Sequence, residues 1–289
     1  MQNANRWTGL VADAKVFNTA AATTATSVFD GTANRFRAQP LHQLYQNNLL
    51  IRLDAASAKD RVNAQTAGGC GTNVWADSSS HNSTSTLFGF NCTSTSGWNG
   101  TGTTSDPYRL TFDGVDDFVD SFKGAVEWGI DQHHTEKAAE IWAYLDATSG
   151  IRPLFSIGSA LNNYLFQLKV NAATDLWTIY PNAAFQTTTY NGHSKWVHYV
   201  LTSDTNNNRM YVNGTMIKNA GGNLFTANNL SFTIGRNDVN NPVDGTSYFK
   251  GDIAYAAFYN RNITQAEVTA LCNALKGRFA GVAGGVTCN

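Results

Sequence analysis

The stretch Arg209-Met-Tyr-Val-Asn-Gly-Thr-Met-Ile217 decides how this chain is read. Two alternating runs of large side chains flank Asn213-Gly214, a pair suited to the positive φ angles of a type I′ turn, so the segment predicts a tight β-hairpin. Just upstream, Trp196-Val-His-Tyr-Val-Leu-Thr202 puts Trp196, His198 and Val200 on one face of a strand and Val197, Tyr199 and Leu201 on the other. Both faces are apolar, which predicts an inner strand covered on both sides. His198 therefore reads as a packed core residue rather than a ligand.

Working outward, short apolar runs separated by turn residues recur along the chain. Strands are expected at 49–53, 108–112, 140–145, 153–157, 164–170, 176–180, 230–235 and 252–259. These are too many for one small open sheet and predict two stacked antiparallel layers. A single helix stands out: Thr264-Gln-Ala-Glu267 has capping-box spacing, and Val268, Leu271 and Leu275 then form one apolar stripe.

Composition agrees with an all-β reading. Thr (32) and Asn (31) make up about a fifth of the 289 residues, whereas Glu occurs four times, a mix that favours strands and polar turns over long helices. Seven Trp, 11 Tyr and 16 Phe supply a core despite a charged fraction of only 14%. A net charge of −1 gives no footprint for nucleic acid, and no apolar run is long enough to insert into a membrane. Residues 1–46, with Ala and Thr crowded into Ala20–Thr26 and Pro40 near the exit, are too poor in apolar residues to fold alone. They are expected to be an N-terminal extension, a linker or a stalk that trimerises, ahead of a sandwich domain at 47–289.

Four cysteines allow three pairings. Cys70–Cys92 and Cys272–Cys288 are the favoured pairs, because each closes a short loop rich in small residues, where a crosslink contributes about 3 kcal/mol. Two disulfides imply an oxidising, extracellular setting.

Several blocks in order resemble laminin-G-like domains of the concanavalin A-like lectin/glucanase superfamily. They are Leu49-Leu-Ile-Arg-Leu-Asp54, Trp75-Ala-Asp77, Leu110-Thr-Phe-Asp-Gly-Val-Asp-Asp-Phe-Val119, Glu140-Ile-Trp-Ala-Tyr144, Met210-Tyr-Val-Asn-Gly214, Phe249-Lys-Gly-Asp-Ile253 and Asn262-Ile-Thr-Gln-Ala-Glu267. The resemblance implies a jelly-roll β-sandwich of two antiparallel sheets, often with a calcium ion at its rim, used for binding glycans or proteins. In outline the cysteine-flanked insertion and tail are similar to tip domains of trimeric bacterial fibre adhesins.

Fold does not fix chemistry, and the superfamily also hosts glycosidases. Their paired carboxyls stand about 5 Å apart, or about 6.5–9.5 Å in inverting enzymes. Glu136, Glu140 and Asp146, if they shared one strand, would be about 13 and 20 Å apart, too far for such a pair. Glu140 is expected to end its strand at the solvent, and Glu267 is taken by the helix cap. No Gly-x-Ser-x-Gly, His-Glu-x-x-His or phosphate-binding loop occurs, and the doublet His133-His134 reads as solvated. The chain is therefore expected not to be an enzyme.

For calcium, hard oxygen ligands are offered by Asp54, Asp116 and Asp117, although Asp113-Gly114 and its neighbours also read as a plain turn. For glycans, an exposed aromatic beside hydrogen-bonding side chains is sought. Three neighbourhoods qualify: Asn163 with Tyr164, Trp177 with Tyr180, and the long polar loop carrying Arg236, Asn237, Asp238 and Asn240 up to Tyr248. The expected function is extracellular recognition of a cell-surface glycan. A protein-binding or structural fibre-tip role is the alternative, and glycoside hydrolysis a distant third.

Overall fold

The computed structural model describes residues 48–289 apart from 58–60, 62–64, 67–68, 72, 84, 125, 131–135, 147–150, 160–163, 172–175, 181–185, 188–191, 222–230 and 238–246. The side chains of 65–66, 69–70, 126, 151, 159, 164–165, 171, 176–180 and 186–187 are likewise outside the description. The chain divides into two units, Met1–Gln39 and Pro40–Asn289, and the described residues belong to the second.

Two antiparallel sheets form a sandwich. The first runs β16 (Thr215–Gly221), β15 (Asn207–Val212), β14 (Trp196–Ser203), β9 (Lys137–Leu145), β18 (Lys250–Tyr259), β7 (Arg109–Asp113) and β6 (Gly97–Asn99), with β1 (Leu49–Asp54) beside β7 on β18. The second runs β13 (Gln186–Thr187), β12 (Leu176–Tyr180), β11 (Tyr164–Asn171), β10 (Ile151–Ser159), β17 (Ser231–Ile234), β8 (Phe118–Gly124), β5 (Ser85–Phe88) and β4 (Val74–Trp75). A two-stranded ribbon joins β2 (Gln65–Thr66) to β3 (Gly69–Cys70).

The hairpin and the inner strand appear as the sequence predicts. Asn213 and Gly214 take φ angles of 49° and 86° between β15 and β16. Strand β14 is hydrogen-bonded to β9 on one side and β15 on the other, and its two faces enter different clusters. Val197, Tyr199 and Leu201 point between the sheets, where they join Phe112, Phe155, Phe166, Phe232 and Phe258. Trp196 and Val200 point outward, under the helix α1 (Gln265–Leu275).

Helix α1 starts with the expected capping box. Thr264 accepts from the Glu267 amide, and Glu267 accepts from the Thr264 amide at 2.8 Å. Its stripe of Val268, Leu271 and Leu275 is buried against Trp142, Tyr255 and Tyr259 of the first sheet. Each fully buried aliphatic chain contributes about 1.5–3 kcal/mol, enough for three of them to hold an 11-residue helix on the sheet. The disulfide Cys272–Cys288 then ties the C-terminal tail to α1, as expected. Cys92 is also disulfide-bonded, while the side chain of Cys70 lies outside the description.

One sequence expectation is corrected here. Glu140 does not end its strand at the solvent but sits within β9, fully buried. Its carboxylate lies 3.1 Å from Nε2 of His198 and accepts from the Tyr259 hydroxyl at 3.1 Å. The cause is that β9 begins at Lys137 and places this position beneath α1, where a carboxylate is tolerated only with hydrogen-bond partners. His198 is the buried residue expected, its ring tilted by 33° against that of Trp142 at 5.0 Å between ring centres.

Candidate functional site

Helix α1 covers the middle of the outer face of the first sheet, and the candidate site lies on the outer face of the second. In-register pairing lines up one residue from each of five strands: Thr86 opposite Asp120, Asp120 opposite Thr233, Thr233 opposite Ser156, and Ser156 opposite Gln167. The flanking residues Leu87, Val119, Phe232, Ile234, Phe155, Ile157, Phe166 and Leu168 all enter the inter-sheet core. Alternation therefore directs the row itself to the opposite face. A polar stripe crosses the sheet from β5 to β11.

At one end the stripe meets a ledge of aromatic rings. Phe88 and Phe118 stack at 4.7 Å with planes 10° apart, Phe122 meets Phe88 edge-on at 5.8 Å, and Tyr248 lies 6.3 Å from Phe118. The guanidinium of Arg236 lies 3.8 Å from the Phe118 ring centre and faces Asp120 across 3.6 Å. Phe122 is 61% exposed, one of three exposed large apolar side chains among the described residues, with Val115 and Met216.

Local backbone chemistry builds this ledge. Between the pairs Asp120–Thr233 and Gly124–Ser231, β8 uses three residues where β17 uses one, which makes a bulge. Phe122 sits in the bulge at φ 52°, a conformation unfavourable for a bulky residue. It is held by its own amide donating to Asp120 Oδ1 at 2.8 Å, while the Ser121 hydroxyl donates to Lys123 O at 3.0 Å. Backbone strain of this kind clusters at functional sites. Beyond β17, Gly235 turns the chain at φ 83°; a Cβ there would come within 2.6 Å of the Phe112 ring. That turn delivers Arg236 onto Phe118.

Of the sequence candidates, Arg236 and Tyr248 are brought together on the ledge and pair as a β-bridge. Asn237 is fully buried and closes the loop, its Oδ1 accepting from the Ser247 amide at 2.9 Å. Asp238, Asn240 and Asn163 fall outside the described residues. Tyr164 lies in β11, and Trp177 and Tyr180 lie in β12 opposite Val170 and Gln167, with their side chains outside the description. Sequence reasoning missed Phe88, Phe118, Phe122, Asp120 and Gln167. The alternation Phe118-Val-Asp-Ser-Phe122 is the signal that could have marked the first strand of the ledge.

The candidate calcium ligands separate. Asp54 is not with the others: its two oxygens accept from Arg278 at 2.7 and 2.8 Å. Asp116 and Asp117 do cluster, with Asp113 as third member and ligand atoms within 4.8 Å of one another. Yet Asp117 Oδ1 accepts from Ser96 at 3.0 Å and its Oδ2 from the Asp113 amide at 2.8 Å, while Asp113 Oδ1 accepts from the Val115 amide at 2.7 Å. Each is a bond a tight turn needs, and each oxygen so used is less available to an ion that takes 6–8 of them. Burial, reinforced by the charges of Asp113 and Asp116, pushes the Asp117 carboxyl up to about 7.

A laminin G family model, described as the concanavalin A-like lectin/glucanases superfamily, matches residues 121–269, just over half of the chain. The chain belongs to that superfamily. The match runs from the ledge strand β8 into α1, so the concanavalin A-like core contains most of the polar stripe. Among solved structures, domain 4 of AbnA, a GH43 extracellular arabinanase from Geobacillus stearothermophilus, in complex with arabinotriose, aligns at TM-score 0.51 and 14% identity. That alignment covers 78% of this chain and 98% of that domain. Trypanosoma rangeli sialidase with the inhibitor DANA aligns at 0.53 and 16% identity over 86% of this chain, which spans only 38% of the sialidase. The binding domain of botulinum neurotoxin DC in complex with SialylT aligns at 0.53 and 13% identity, covering 80% of this chain and 52% of that one. At such identities the likeness is one of fold. No curated protein matches the sequence.

Proposed function

We propose that this concanavalin A-like domain binds a glycan on the outer face of its second sheet, without turning it over. The observation that carries the reading is the ledge: an exposed aromatic, Phe122, displayed in a strained conformation beside the Arg236–Asp120 pair. Sugar recognition needs this combination, an apolar plane to stack on one face of a ring and fixed polar groups for its hydroxyls. That three fold neighbours carry a sugar, SialylT or a sialidase inhibitor agrees with it.

The state of four described carboxylates agrees with binding rather than hydrolysis. Glu140 is sealed with His198 and Tyr259, Glu267 caps α1, Asp54 serves Arg278, and Asp117 builds a turn. A pair working on a glycosidic bond needs both groups free to face the substrate. The Cys272–Cys288 bond supports export to an oxidising compartment. In this reading the domain acts at a cell surface, at the tip of a fibre whose trimeric stalk connects through residues 1–46.

An array of immobilised oligosaccharides tests the proposal. Saturable binding is expected, with at least a tenfold loss in Phe122→Ala and no release of reducing sugar on prolonged incubation. Mass measurement of the full chain is expected to give a trimer. Silence on the array, or undiminished binding by Phe122→Ala, refutes the site.

A further inference from the structure

We propose that the cleft between the Asn213-Gly214 hairpin and the C-terminal tail is a second binding site, and that it takes one or two rings of a neutral saccharide. It lies at the first sheet and stands independently of the ledge. The cleft encloses about 460 Å³, within the range of about 300–1,000 Å³ usual for small-ligand sites. Buried Trp196 and Val212 and half-buried Ile217 form its floor, while Thr215, Gly284, Gly285, Thr287 and Asn289 along its rim are exposed. A ligand therefore reaches it directly from solvent.

Its walls are fixed before a ligand arrives. Trp196 packs against Phe279 at 4.8 Å and Tyr144 at 6.1 Å between ring centres. The tail is tied to α1 by Cys272–Cys288, and to the hairpin by the Asn289 amide, which donates to the Asn213 carbonyl at 3.0 Å. From α1, Thr269 donates to the Asn289 carbonyl at 3.2 Å and Gln265 donates to that of Gly214. Gly214 permits this closure, since a Cβ there would stand 2.4 Å from the Asn289 oxygen. At Gly284 and Gly285 a Cβ would meet nothing within 4 Å, so bare backbone keeps the mouth wide. A site with its walls already ordered loses little affinity to ordering on binding.

The chemistry of the lining selects the ligand. Asn213 Oδ1 accepts from the His198 amide at 2.9 Å, which leaves the two Nδ2 hydrogens of its carboxamide unused within the described residues. The Thr215 and Thr287 hydroxyls likewise make no bond among the described residues. Three groups that can donate, two of which also accept, thus line one cleft above an apolar floor. A sugar ring has the matching surfaces: C–H groups on its face for Trp196, Val212 and Ile217, and hydroxyls at its edge for the amide and the threonines. No carboxylate side chain lines the cleft, and its one ammonium, Lys195, has an interaction of its own. Nothing there is arranged to hold a ligand charge, which selects an uncharged sugar. Together with the ledge on the other sheet the cleft makes the domain bivalent, so that on a glycan-coated surface each site adds avidity to the other.

The test titrates the isotope-labelled full chain with lactose, maltotriose, arabinotriose and 3′-sialyllactose and follows amide and indole NMR shifts. At least one neutral sugar is expected to move the Trp196 indole and the Thr215 and Thr287 amides saturably, in the wild type and in Phe122→Ala alike. Thr287→Val removes an exposed hydroxyl that serves no internal bond. It should weaken this binding about three- to tenfold, the worth of one hydrogen bond, at an unchanged melting temperature. Thr287→Trp fills the mouth and should abolish it. Shifts confined to the surroundings of Phe122 overturn the cleft and leave the ledge standing. Shifts at the cleft alone uphold the cleft and sink the ledge, and none at either place overturns both. Wild-type affinity in Thr287→Trp overturns the cleft; should that variant not fold, undiminished affinity in Thr287→Val does so. Tighter binding of 3′-sialyllactose than of lactose at the cleft overturns the neutral class.

Discussion

Asp117 makes the protein's stability depend on pH in an unusual direction, and replacing it with Asn should remove that dependence. Its folded-state pKa is raised to about 7 from 3.8, first by burial and then by the nearby charges of Asp113 and Asp116. Between those values the folded chain holds a proton that the unfolded chain has released. Its contribution is therefore greatest below about pH 4, falls as pH rises through the window, and is fully lost above about 7. One pKa unit is worth 1.36 kcal/mol, so between pH 5 and pH 8 the loss is about 2–3 kcal/mol. The substitution is nearly isosteric. Asn can still accept from the Asp113 amide and donate to the Ser96 hydroxyl, the two bonds that Asp117 makes at 2.8 and 3.0 Å. Urea unfolding of both proteins at pH 5, 6, 7 and 8 reads the difference, because titrating groups remote from Asp117 cancel between them. The stability of the wild type minus that of Asp117→Asn should fall by about 2–3 kcal/mol over that range. A difference flat to within about 0.5 kcal/mol would refute the account of the buried carboxyl. Repeating the melts in calcium chloride separates two roles for the cluster: a plain turn predicts no change, and a cation site predicts stabilisation that is larger at pH 8 than at pH 5.

Two further perturbations probe the scaffold and the ledge separately. Cys288→Ser opens the crosslink to Cys272, whose sequence separation is 16, and should cost about 3 kcal/mol by the chain-entropy relation. For a domain of this size that is a fall in Tm on the order of 6–12 °C. Glycan affinity at the ledge should not change, since the tail packs with α1 on the first sheet; a cost below about 1 kcal/mol, or lost ledge binding, contradicts this division. Phe122→Gly removes the positive-φ strain and should leave the free protein equally stable or up to about 1 kcal/mol more so, while weakening glycan binding at least tenfold. A destabilisation above about 2 kcal/mol in thermal melts would show that the ring serves packing instead.

What could be read in the sequence was whatever is encoded by residues close together along the chain. The Asn213-Gly214 turn, the two apolar faces of β14 and the Thr264–Glu267 cap are all local, and the side chains that decide them lie within a few positions of one another. The stripe is different in kind. Thr86, Asp120, Ser156, Gln167 and Thr233 are spread over almost 150 residues and become neighbours only because strands far apart in sequence are adjacent in the sheet. Each alone is an ordinary polar residue on the outer face of a strand. Phe122 was hidden for a second reason. A bulge of β8 against β17 is set by the partner strand as much as by its own residues, so Asp120-Ser-Phe-Lys123 carries no turn signal of the Asn-Gly kind. Glu140 is buried for the converse reason: nothing close to it in sequence marks the site as covered, and the helix that covers it lies more than a hundred residues downstream. Arg236 and Tyr248 are legible because the loop between them advertises itself by length and polarity; that Gly235 turns the chain back onto the sheet is visible only in the structure. The residues of the proposed site are thus brought together by strand pairing, and a variant that shifted the β10–β11 register by one residue would turn Gln167 into the core and Phe166 out of it while leaving every local motif intact.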